Sequence, residues 1–253
     1  MTKVKQTLLA VNEIPKKVIE GVPFIGPVLG HVYEDFITRQ LSKLEERRID
    51  DAHKYCIRKI EEKIKLGFRP RDDDWFFANN ENYRSNASEI FEGVLTKCKL
   101  EHEQKKSRYI NNLFINISFE KVSLAQANFL LKLVGTMTFR QLLLLNLFNV
   151  NKGNNLMLNT KEVTIVSENI SIYQEVYELT QLGLLQKLMD EGQPGVTWKD
   201  LQEKSFNAMF GWDEVIPGLM ELTPLGDEAC KLLGLDELTE TELEELIRNF
   251  KSS

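Results

Sequence analysis

The chain has 253 residues, 42% hydrophobic and 28% charged, with a net charge of −6; this is the composition of an ordinary globular protein, not of a disordered or multispanning one. Three cysteines far apart in sequence, with no CxxC pair, argue against a disulfide framework or a zinc site and for a reducing, cytoplasmic setting. Residues 1 to 167 hold 26 Lys and Arg against 20 Asp and Glu, while residues 168 to 253 hold 6 against 18. The C-terminal third is therefore the acidic part, the opposite of what a phosphate-gripping module needs.

The N-terminus begins with a short amphipathic piece, Val4, Leu8, Leu9 and Val11, ended by Pro15. TLLAV is too short for the apolar region of a secretory signal, and Glu13 and Pro15 follow it. VIEGVPFIGPVLGHVY, residues 18 to 33, follows with Gly21, Gly26, Gly30, Pro23 and Pro27 among its apolar residues. So many breakers predict a kinked apolar turn rather than a helix or strand. Val22, Phe24, Ile25, Val28 and Leu29 have two readings: a leader tucked into the core, or an exposed tip that seeks a membrane surface or a protein partner. The segment is too short to span a bilayer.

Two long charged helices are expected next. The first covers about residues 32 to 66, with Phe36, Ile37, Leu41, Leu44, Ala52, Cys56, Ile60 and Ile64 on its stripe and nearly balanced charge elsewhere. The second covers about residues 88 to 118, with Phe91, Leu95, Cys98, Tyr109, Leu113 and Ile117 on one face. Similar lengths and a single loop predict a long antiparallel helical hairpin. In that loop Asp72, Asp73 and Asp74 lack the alternating spacing, glycine and closing glutamate of a calcium site. Asp74 before Trp75, Phe76 and Phe77 is instead a helix cap and packing anchor. His102 on the second helix reads as an interhelical contact.

LAQANFLLKLVGTMTFRQLLLLNLF, residues 124 to 148, is the most apolar run. Lys132 and Arg140 oppose a membrane span. Ser123 with Gln126 and Thr138 with Gln141 form two capping boxes, so the run divides into helices over about 124 to 135 and 139 to 149 that close a bundle. NVNKGNNLMLNTKE then marks a domain boundary, and residues 163 to 166 suit a short strand.

From Asn169 the pattern is a helix running to Gly183, the apolar LGLL, a long interval holding Trp198, Phe206, Phe210 and Trp212, and LTPLG before the helix DEACKLL. This order resembles the winged-helix pattern, in which two strands form the wing. The helix before the wing holds Glu175 and Glu178 and no basic residue, so the resemblance implies a protein-contact role rather than DNA reading. The chain closes with an acidic helix over about 238 to 250, capped by Thr239 with Glu242 and striped by Leu243, Leu246, Ile247 and Phe250. The layout of apolar IGPVLG leader, two charged helices, leucine-rich middle and LTxxG module also resembles uncharacterised bacterial helical proteins of the kind met beside mobile-element and phage-defence genes.

The expectation is thus a mainly α protein: a leader over 1 to 30, a helical bundle over 31 to 150, and an acidic winged-helix-like module over 151 to 253. No GxxxxGK[ST], GxGxxG, GxSxG or HExxH occurs, and His31, His53 and His102 each lack a nucleophile in sequence, so neither catalysis nor a metal, cofactor or small-molecule substrate is expected. The expected function is a non-enzymatic cytoplasmic protein-interaction module, with another protein or a second copy as partner, within a bacterial defence or stress-response system. The alternatives are a membrane-acting, pore-forming helical effector and, more weakly, a DNA-binding regulator.

Overall fold

The computed structural model describes residues 25–39, 41–73, 76–78, 84–156, 167–188 and 217–252. The opening amphipathic piece, Val22, Phe24, Asp74, Trp75, the strand expected over 163 to 166 and the aromatic interval with Trp198, Phe206, Phe210 and Trp212 lie outside the described residues. The protein is mainly helical: among the described residues there are nine α-helices and one two-stranded sheet. The chain forms two compact units, residues 1–136 and 137–253.

The first unit starts with α1, Ile25–Ile37. Here the expected turn is a helix, because Gly26 and Pro27 fall in the first turn, where backbone N–H groups have no intrahelical acceptor to lose. Gly30 is then the one breaker further in. α1 buries Ile25, Val28, Leu29, Val32 and Phe36, one stripe of a 3.6-residue period.

The two long helices are each broken. The first ends with α1, and α2, Lys43–Lys65, restarts at a capping box in which Ser42 and Glu45 satisfy each other's backbone N–H groups. The second divides into α3, Asn86–Leu100, and α4, Gln104–Ile117. At that break the Glu101 carboxylate accepts the Glu103 N–H at 2.9 Å and pairs with Lys106 at 2.7 Å. The expected long hairpin is therefore a bundle of shorter helices. α3 packs against α1, α2, α4 and α5, Leu124–Thr136. α4 is covered along Tyr109 to Ile117.

The apolar middle breaks where its caps predict, but its halves join different units. α5 belongs to the first, and α6, Phe139–Asn149, to the second. The division precedes the asparagine-rich connector because Leu142, Leu144, Leu145 and Leu147 of α6 are wholly buried, and α6 packs against α7, Ser167–Gln181, against β2, Met220–Leu222, and against α8, Pro224–Leu233, and α9, Glu240–Ser252. No single helix among the described residues is long and apolar enough to cross a membrane.

In the second unit α7 ends at Gly183, whose φ is 72°. The Leu184 N–H returns to the Leu179 carbonyl and the Gly183 N–H to that of Thr180, a glycine-terminated helix end. β1, Leu185–Lys187, pairs antiparallel with β2 in the register Leu185 to Leu222 and Lys187 to Met220. Thr223 then caps α8, with Pro224 in its first turn and Gly234 at φ 63° closing it. α9 opens with the expected Thr239 and Glu242 box and buries Leu243 and Leu246 within its own unit.

Candidate functional site: the leader helix and its seam

Ile25, Val28 and Leu29, the described part of the candidate tip, are 1%, 4% and 3% exposed. Helix geometry puts them on one face, and that face lies against α2 and α3 of the same unit. In this conformation they contribute core, not surface. The exposed face of α1 carries polar residues instead. Asp35 accepts from Arg84 at 2.8 Å, Arg84 also donates to Glu92, and Glu92 accepts from Arg39 at 2.7 Å. These pairs are solvent-accessible and add little stability each, but together they tie the C-terminal end of α1 to α3 and the residues just before it. Beside them lies a cleft of about 440 Å³, with Pro27, Val28, His31, Asp35, Phe77 and Arg84 among its lining.

The opposite edge of α1 meets α2 through an aromatic pair. Tyr33 stacks on His53 with ring centroids 4.1 Å apart and planes 7° from parallel, and the Phe91 ring of α3 lies 6.4 Å from that of His53, tilted by 45°. The Tyr33 hydroxyl donates to Asp50 at 2.6 Å, and Lys54 donates to the other oxygen of that carboxylate. Burial pushes the Tyr33 phenol up, and the bond to Asp50 adds to this. Burial alone would raise Asp50 as well, but its bonds from Lys54 and Tyr33 hold it below its usual value. His53 is 5% exposed, and neither ring nitrogen makes a hydrogen bond among the described residues. Burial lowers its pKa from 6.5 to about 4, outweighing Asp50 and the Leu29 backbone, which favour a proton there.

The other titratable clusters are structural. Glu101, His102 and Glu103 could approach a metal ion, but Glu101 already holds Lys106, which is only 3% exposed. His102 lies in the break between α3 and α4 with its side chain exposed, 3.5 Å from Glu101, and not between helices as its place in the sequence suggested. Asp73 pairs with Arg71 at 2.7 Å and with Lys121. Arg71 in turn donates to the Val122 carbonyl, so this acidic run anchors a loop. Cys56 and Cys98 are both wholly buried and share Asn111, whose Oδ1 accepts from Cys56 at 3.2 Å and whose Nδ2 donates to Cys98 at 3.4 Å. Burial drives Cys56 well above the ordinary thiol range and Cys98 and Cys230 up to about 12, so all three stay protonated and are poor nucleophiles.

In the second unit two acidic residues of α7 bond to α6 and its cap: Glu175 is part-buried, Glu178 exposed. Glu175 pairs with Arg140 of α6 at 2.6 Å and accepts from Thr138, while Glu178 accepts from Gln141 at 2.8 Å. Sequence reasoning placed Glu175 and Glu178 on a recognition surface. Their partners lie more than thirty positions away in the chain, and Arg140 was legible only as an obstacle to membrane insertion. Further exposed acids sit on and after α8 and on α9, at Asp227, Asp236, Glu244 and Glu245.

These features define a mainly helical two-unit protein without an assembled catalytic group among the described residues. Comparison with family models, with curated proteins and with solved structures gave no match.

Proposed function

We propose that the chain is a non-enzymatic protein-interaction module whose second unit, winged-helix-like in its order of helix, strand, strand and helix, makes protein contacts within a bacterial defence or stress-response system. The observation that carries this reading is the distribution of charge. Residues 168 to 253 hold 18 acidic against 6 basic residues, and Asp227, Asp236, Glu244 and Glu245 are exposed. α7, which precedes the strand pair, has no lysine or arginine. A surface of this sign repels phosphate and favours a basic protein face. The membrane-effector reading draws less support, since Ile25, Val28 and Leu29 are covered by their own unit.

The test is capture by the immobilised full chain from an extract of its source cells, with mass spectrometry of what is retained at rising salt. The reading predicts a protein partner that is released steeply as salt screens the contact. A variant with Asp227→Asn, Asp236→Asn, Glu244→Gln and Glu245→Gln should retain less of it. Duplex DNA held in place of protein, or a partner indifferent to both salt and these substitutions, would refute it.

A further inference from the structure

The seam between α1 and α2 contains a group that the proposed interaction role does not use. His53 is 5% exposed, stacked on Tyr33 and near Phe91, and neither ring nitrogen makes a well-formed hydrogen bond among the described residues, the Leu29 backbone lying only near enough to favour a proton. A buried imidazole costs less neutral than charged: a charged one in the same place loses its hydration, and the Asp50 carboxylate and the Leu29 backbone recover only part of that loss. His53 also sits in the seam itself: the Tyr33 ring stacks on it, and the Tyr33 hydroxyl donates to Asp50 one turn before it on α2.

We propose that His53 is a proton-operated latch on α1, so that its protonation opens the α1–α2 seam and uncovers the apolar stripe of Ile25, Val28, Leu29, Val32 and Phe36. The charged and titratable groups around it are Tyr33 on α1 and Asp50, Lys54 and Glu46 on α2; from α3 it meets the uncharged Phe91. Asp50 is the one carboxylate favouring a charged His53, but its two oxygens are engaged by Tyr33 and Lys54, and Lys54 opposes the proton. The sign follows from which form the closed seam accepts. Its pKa is depressed when closed, so the closed state's advantage is complete above the free imidazole value of 6.5 and declines as pH falls from there towards about 4.

Hydrogen exchange of the full chain, corrected for the intrinsic pH dependence of exchange, reads this directly. Between neutral pH and pH about 5, opening of residues 25 to 37 should rise roughly 20-fold, the ratio set by those two pKa values, while the buried core of α4 keeps its protection. His53→Phe keeps the aromatic stack and removes the proton site, so its α1 protection should not change over this interval. His53→Gln provides the same comparison without the larger ring. On the unsubstituted chain, the His53 ring resonance should titrate together with the loss of α1 protection. A ring that titrates at or above 6.5 while α1 remains protected would overturn the latch, as would equal acid opening in either variant.

Discussion

Glu101 and Lys106 show how a buried charge can be structural and not catalytic. Both are under a tenth exposed, their atoms meet at 2.7 Å, and the carboxylate also takes the Glu103 N–H at the start of α4. Burial alone would raise Glu101, but Lys106 and that N–H hold it below its usual range. It therefore contributes stability above the free carboxylate pKa and loses it as pH falls below that value. Glu101→Gln leaves a buried ammonium without its counter-charge and should cost about 3 to 5 kcal/mol in urea unfolding. Lys106→Met in the Glu101→Gln background should recover much of that loss. If the double variant is no more stable than Glu101→Gln alone, the pair is not coupled as described.

At the scale of elements, local signals and distant ones separate cleanly. The boxes Thr138 with Gln141 and Thr239 with Glu242 could be read from four consecutive residues, and both are formed. Ser42 with Glu45 forms a box of the same kind, and it divides the first long helix that the apolar stripe alone predicts. The break at Glu101 had no local signature, since it depends on a lysine brought back by the first turn of α4. Breaker content alone predicts a turn where Ile25–Ile37 forms a helix, because two of the breakers, Gly26 and Pro27, fall in the first turn, where they cost least. The pairing of Glu175 with Arg140 and of Glu178 with Gln141 is equally hidden, because it depends on where α6 lies.

The LTPLG segment gains its explanation at this scale. A Cβ on Gly226 would come within 2.2 Å of the Leu184 carbonyl oxygen, so the glycine allows α8 to start against the turn that ends α7. Thr223 secures the same junction, donating its hydroxyl to the Gly183 carbonyl at 2.6 Å and accepting the Gly226 N–H. Gly226→Ala must displace backbone and should destabilise the second unit by about 1 to 3 kcal/mol. The check is exchange protection of β1 and β2 beside that of α4 in the first unit. Unchanged protection of the strands would show that the close approach is not needed.

For the molecule as a whole, the helical class was legible because 3.6-residue periodicity runs through nearly every described segment, whereas the assignment of α5 and α6 to separate units was not. Apolar run length says that residues are buried, not in which core. The same limit applies to the leader, where composition favours a place in the core but leaves the surface tip as an alternative. The structure covers the stripe of α1 with its own unit and leaves charge as the accessible feature of the second unit, and the proposed interaction role rests on that contrast.

The most direct test of that contrast is hydrogen exchange over residues 25 to 37 of the full chain at neutral pH, with and without vesicles rich in anionic lipid. The account predicts the same strong protection of α1 in both samples and no co-sedimentation of the chain with lipid. Lipid binding accompanied by a change in α1 exchange would contradict it and make the leader a membrane-active element in the resting protein.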